Sequence, residues 1–338
     1  MNWNYCVGTD IAKDKFDACI RMSESDNKKV VATRTFDNKQ TGFAEFLTWI
    51  RNKTKNSDSV LVMMEATGVY YEDLVYFLYV NKVSAAVELP NKVKYFAKSH
   101  NVITKTDKVD AKLLALYGMD RDVKLWVPMC PDFKILRELT RERLALNKAI
   151  VRAKNQRHAL NHAHDICTVV LETKTKQIET YESLMQDIEA EITRRYNANS
   201  ELKARVEKIT ICKGIRWMSV LTVLCETNGF ETFRSIRQVV SYTGLDVVLH
   251  ESGKYKGKTR ISKKGNSHIR AVLYMPALSA KTHNEDWVDF AQRIVDRDPK
   301  TKMKSVVAVM RKLLVTIFVL WKNDMEYLPM DQRNMKNK

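Results

Sequence analysis

Apolar and polar positions alternate along "YCVGTDIA", "KFDACIRM" and "VVATRTF", and this period of two predicts three β-strands near the N-terminus. The period changes in "TGFAEFLTWIRNK", where Phe43, Phe46, Leu47 and Ile50 fall on one helical face. "SVLVMME" is apolar almost throughout, the pattern of a strand covered on both sides. "YEDLVYFLYVNK" returns to helical spacing, "SAAVEL" predicts a short strand, and "DKVDAKLLALYGM" a further helix. Pro128 and Pro131 in "VPMCP" then break the pattern. From Asp132 to Glu207 there is neither glycine nor proline. Apolar positions recur there at threes and fours: Leu136, Leu139, Leu146 and Ile150, then Ile178, Tyr181, Leu184, Ile188 and Ile192. Two long helices follow from this, either as an antiparallel or oligomeric coiled coil or as a plain hairpin within one subunit.

The last third is punctuated differently. Of the 10 glycines, Gly244, Gly253, Gly257 and Gly265 crowd one basic stretch. "ITICKGIRWMSVLTVLCE" places a Lys-Gly turn between two helical flanks, the outline of a helix-hairpin-helix whose turn could hold a backbone phosphate; a plain C-cap glycine is the simpler reading. "SVVAVMRKLLVTIFVLW" predicts a buried closing helix, and "NDMEYLPMDQRNMKNK" a frayed tail. Three strands followed by helix–strand–helix–strand–helix is the order of an RNase H-like domain. The expected fold class is therefore an α/β RNase H-like N-terminal domain, a long α-helical (coiled-coil) middle and a mainly α C-terminal domain. The expected boundaries are 1–127, 128–205 and 206–324, with 325–338 as the tail.

Composition narrows the class. Apolar residues make up 45%, so the chain has the material for real cores, and the net charge of +17 points to a polyanionic partner, nucleic acid before membrane. Cys6, Cys19, Cys130, Cys167, Cys212 and Cys225 are scattered without metal-binding spacing and are expected to be reduced thiols. The opening "MNWNYCVGTD" runs straight into a strand pattern and is read as carrying no signal peptide. "LLVTIFVLW" falls far short of the roughly 20 residues a membrane span needs.

Four carboxylates stand out by position. Asp10 interrupts the first strand, and Glu65 ends the apolar one. Asp107 and Asp110 are three apart and share the first turn of a helix. With strands one and four adjacent, these acids come together, and a divalent cation would relieve their repulsion. The competing reading makes Asp107 part of a capping box with Thr104, and Glu65 a solvated strand end. Ser252 and Ser262 sit among Lys254, Lys256, Lys258, Arg260, Lys263, Lys264 and Arg270, cations suited to gripping phosphates, as is Lys213 in the earlier turn. A turn serine is the ordinary reading of "ESGK".

Taken in order, "VGTDIAKDKFD", "MEATGVYYEDL", "LPNKVKYFAKSHNVITKTDKVDAKLLALY" and "GLDVVLHESGKYKGKTRISKKGNSHIRAVL" resemble the marker segments of the DEDD insertion-sequence transposases. These are bridge-RNA-guided recombinases with a RuvC-like N-terminal domain and a C-terminal transposase domain carrying a serine. The resemblance covers essentially the whole chain. It implies metal-binding catalytic acids at Asp10, Glu65, Asp107 and Asp110, with Mg2+ as cofactor and Mn2+ as a substitute. It implies a nucleophile at Ser252 that forms a covalent phosphoserine link. The implied partners are donor and target DNA, a structured noncoding RNA, and further copies of the chain, as dimers assembling into a tetramer with composite sites. A cytoplasmic bacterial enzyme, nucleoid-associated when active, is implied as well, with no membrane role. Two departures are visible: "DVV" follows "YTGL" where the family commonly has a proline, and "HES" replaces paired serines, leaving Ser252 as the hydroxyl in place. The alternatives are a Holliday-junction-resolvase-like nuclease that activates water, and a non-catalytic nucleic-acid-binding protein.

Overall fold

The alternating segments form an antiparallel meander of β1 (Tyr5–Ile11), β2 (Lys15–Glu24) and β3 (Asn27–Asp37), extended by parallel strands β4 (Val60–Glu65) and β5 (Ser84–Glu88). In this computed structural model, which describes residues 3–24, 27–101, 106–249, 251–253, 255–257, 259–299 and 302–329, the sheet order is β3-β2-β1-β4-β5. That order and those directions are the RNase H-like arrangement. Helices α1 (Gln40–Lys53) and α2 (Glu72–Val80) cover one face, where Phe43, Phe46 and Leu74 pack with Val62 and Met64. Helices α3 (Pro90–Ser99) and α4 (Asp107–Asp120) cover the other, where Phe96 and Leu114 meet Leu61 and Met63. Successive β4 side chains thus enter opposite cores, which is why the strand is apolar at every step. The chain divides into two compact units, Met1–Pro128 and Met129–Lys338.

Helix α3 is absent from the elements that the hydrophobic pattern predicts. Pro90 starts it at the first helical turn, and Val93 and Phe96, one turn apart, bury against the sheet. Two buried positions, with exposed Tyr95 between them, are too few to announce a helix by period alone.

In the second unit α5 (Pro131–Asn161) and α6 (Thr168–Ala198) form a long hairpin. The ion pairs Arg143–Glu189 and Lys154–Glu182 run in opposite sequence directions, as antiparallel helices require. Beyond it lie α7 (Ser200–Thr210), α8 (Trp217–Thr227), α9 (Ile236–Thr243), α10 (Ser267–His283), α11 (Glu285–Arg297) and α12 (Lys302–Lys322). Between α9 and α10 are two short ladders, β6 (Val247–Val248) with β9 (Arg260–Ile261) and β7 (Glu251–Ser252) with β8 (Tyr255–Lys256). Leu313, Leu314, Ile317 and Phe318 of α12 are buried in the shared core, and no described helix is long and apolar enough to cross a membrane. The turn between α7 and α8 has Gly214 at φ +101°, and a β-carbon there would strike Ala280 of α10. The segment after α12 is not frayed at its start. Tyr327 is buried, its amide donates to the Lys208 carbonyl and its hydroxyl to Asp286, so core packing holds the chain to that point. Cys6, Cys19, Cys212 and Cys225 are buried, Cys130 and Cys167 exposed, and all are free thiols.

Candidate active site and nucleic-acid surface

The parallel register pairs Thr9 of β1 with Met64 of β4, so Asp10 and Glu65 are the next residues on neighbouring strands, about 4.8 Å apart in backbone. Helix α4 reaches them because Gly8 has no side chain. A β-carbon on Gly8 would lie 2.1 Å from the Ala111 carbonyl oxygen and 2.3 Å from the Ala115 nitrogen. The helix therefore rests directly on β1, with Asp107 and Asp110 in its first turn. Thr106 is the N-cap and accepts the Val109 amide at 3.4 Å, so capping does not depend on Asp107; Thr104 lies outside the described residues. Asp17, opposite Asp10 on β2, is a buried fifth acid whose carboxylate accepts the Thr35 hydroxyl at 2.6 Å.

The consequence is electrostatic. Burial, followed by the charges of Asp110, Asp107, Glu65 and Asp17, pushes the Asp10 carboxyl up to about 6. Glu65 also accepts the Thr67 hydroxyl at 3.0 Å. Among the described residues no three acid, histidine or cysteine side chains close on one point tightly enough to hold an ion. The carboxylates are gathered rather than closed. The donor set is hard oxygen throughout, which fits a magnesium-like cation.

Ser252 lies in the second unit, exposed on a hairpin whose turn has Gly253 at φ +55°. Its cross-strand partner Tyr255 is exposed and on the same face. Lys254 and Lys258 lie outside the described residues, as does the side chain of Lys256. Arg260, Lys263, Lys264 and Lys213 are exposed. Arg270 behaves differently: its Nη1 donates to the carbonyls of Thr243 at 2.8 Å and Gly265 at 3.1 Å, clamping the loop from inside. Ser262 is a scaffold residue, donating to Asp246 at 2.5 Å. Of the four Lys and Arg in "RISKKGNSHIR", three are thus exposed and Arg270 turns inward.

Beneath this loop is a polar cluster that the sequence pattern did not announce. Glu226 of α8 is fully buried and accepts Arg141 of α5 through Nε at 2.6 Å and Nη2 at 2.8 Å. Asn266 donates to the same carboxylate at 2.6 Å and also caps α10, accepting the amides of His268 and Ile269. Tyr242 donates to the Glu226 carbonyl at 3.0 Å. Burial alone would push Glu226 up, but the bonds from Arg141 and Asn266 outweigh it and hold the carboxyl below its ordinary range. The available signal was an acid ending the apolar run "VLTVLCE", the same signal that marked Glu65.

Residues 7–164 match a transposase model of the DEDD IS110 type, and residues 206–292 match the model of the transposase IS116/IS110/IS902 family. The chain belongs to this transposase family. Such a transposase is an enzyme of DNA cleavage and strand transfer. The transposase is similar to the pilin gene-inverting proteins of Moraxella bovis and Moraxella lacunata, each 27% identical over 97% of this chain and 98% of the relative. Among solved structures, Thermus thermophilus RuvC aligns with 36% of the transposase and 99% of its own chain, at 11% identity and a TM-score of 0.29. The fowlpox virus Holliday junction resolvase aligns with 34% of it and 97% of its own chain, at 18% identity and a TM-score of 0.25.

Proposed function

We propose that this transposase is RNA-guided and cuts and rejoins donor and target DNA through a phosphoserine at Ser252, with Asp10, Glu65, Asp107 and Asp110 holding Mg2+. The observation that carries the metal half is the gathering of these acids by the close approach at Gly8, which pushes Asp10 up to about 6. A site that crowds like charges at such cost is a candidate for function. When bound, the cation supplies Lewis acidity to a phosphate oxygen. Exposed Ser252 gives up its hydroxyl proton as Oγ attacks phosphorus, the bond to the 3′ oxygen breaks, and the departing 3′ oxygen takes up a proton. The ester link keeps the energy of the broken bond for rejoining.

Exposed Arg260, Lys263 and Lys264 flank the hairpin and suit the DNA backbone, while Tyr255 offers a ring for base stacking. The guiding RNA is supported by the family resemblance, and the +17 charge suits a polyanionic partner. The test uses purified protein, RNA transcribed from the gene's flank, labelled DNA and magnesium, analysed on a denaturing gel. Wild type is expected to carry covalent DNA, and Ser252→Ala and Glu65→Ala none. Cleavage without adduct, indifferent to Ser252→Ala, would instead indicate a water-activating nuclease.

A further inference from the structure

We infer that Glu226 is a positioning residue for strand transfer, holding the base of the Ser252 hairpin through Asn266 and tying that base to the long α5–α6 hairpin through Arg141. The inference rests on Ser252 being the nucleophile. Its geometry starts from the carboxylate. Glu226 is fully enclosed, and both oxygens are spoken for: Oε1 by Arg141 Nε, Oε2 by Arg141 Nη2 and by Asn266 Nδ2. Asn266 is held on three sides at once, because its backbone N–H also donates to the Tyr242 carbonyl at 2.8 Å and its Oδ1 caps α10.

From Asn266 the constraint runs directly to the hairpin. Gly265 lies so close to α9 that a β-carbon would meet the Tyr242 oxygen at 2.3 Å and the Gly244 nitrogen at 2.7 Å. The Lys263 amide donates to the Gly244 carbonyl, and Ser262 donates through both its amide and its hydroxyl to Asp246. Those bonds fix Ser262 beside β9, which with β6 forms the foot of the hairpin. Among the described residues only the foot is built this way; Glu251, Ser252 and Tyr255 are exposed. A nucleophile at the end of an exposed hairpin needs a rigid foot to meet a phosphate in line. Burying a charge for this purpose is poor value as stability, since an apolar replacement of such a pair is often neutral or better. What the carboxylate supplies is a unique orientation for the groups that bond it.

The variant that isolates this role is Asn266→Ser. Serine keeps the α10 cap but is too short to donate to Glu226. Four quantities are read: thermal midpoint, DNA affinity, adduct formation at saturating DNA, and deuterium exchange across residues 247–265. DNA affinity should stay within about twofold of wild type while the adduct rate falls ~10- to 100-fold. Exchange at the hairpin foot should accelerate, with α12 unchanged. Arg141→Gln, at a half-exposed position, should reproduce the split and serves if Asn266→Ser does not fold. An unchanged adduct rate, or a rate reduced only in step with the folded fraction, overturns the inference while leaving Ser252 in place. If wild type forms no adduct at all, the nucleophile reading fails, and exchange at the foot still decides whether the latch exists.

Discussion

At the scale of single residues, two small facts set the acid cluster: a missing side chain at Gly8 and a shared register between Asp10 and Glu65. Gly8→Ala inserts a methyl group where a helix backbone already sits. It should cost about 1–3 kcal/mol by denaturant unfolding and depress cleavage further than that loss explains, because α4 moves away with Asp107 and Asp110. Asp10 makes a second prediction. Its folded carboxyl, at about 6 against an ordinary 3.8, binds a proton more readily than the unfolded chain does. The stability it contributes is complete below about 4 and is lost as pH rises through about 6. In chelator, Asp10→Asn should therefore melt a few degrees above wild type at pH 7.5, and the gap should close toward pH 5. Equal midpoints at pH 7.5 would mean that the acids do not repel.

At the scale of elements, strands and long helices were legible because burial imposes a period, and β4 could be recognised from its unbroken apolar run. Helix α3 was not legible, since only Val93 and Phe96 are buried. The acids were legible as interruptions of pattern, but the same signal at Glu226 marked a buried ion pair, because sequence does not show whether carboxylates or an arginine stand opposite. Asp17 was missed since it sits in ordinary alternation. The basic stretch was half legible: composition counts cations without showing which way they face, and Arg270 turned inward to bind carbonyls. The loop's exposed cations then carry a prediction of their own. Replacing Lys263 and Lys264 by glutamine should lower the slope of log affinity against log salt by about 0.9 for each duplex phosphate that the loop no longer neutralises. Arg270→Gln should instead lower the thermal midpoint, and its effect on affinity should not scale with salt. Equal slopes for wild type and the double variant would remove the loop from the DNA surface.

At the scale of the whole molecule, the acids belong to the first compact unit and Ser252 to the second. If the site is composite between subunits, as the family resemblance implies, acids of one chain work with the serine of another. The α5–α6 hairpin carries exposed Val151 and Leu184, apolar positions suited to meeting a second copy. A mixing experiment separates the two possibilities. Asp10→Asn and Ser252→Ala are each expected to be inactive alone. In a mixed dimer with composite sites, one site combines both defects and the other combines intact acids from the Ser252→Ala chain with the intact serine of its partner. Activity should then return, with the covalent adduct only on the Asp10→Asn chain, which a size tag on that chain would reveal. If each chain used its own acids and its own serine, every site in the mixture would keep one defect and no adduct would form. Subunit exchange must first be demonstrated by co-purification of the two tags, so that silence in the assay has one meaning. Adduct on the tagged Asp10→Asn chain requires another chain's metal site, since its own lacks the carboxylate.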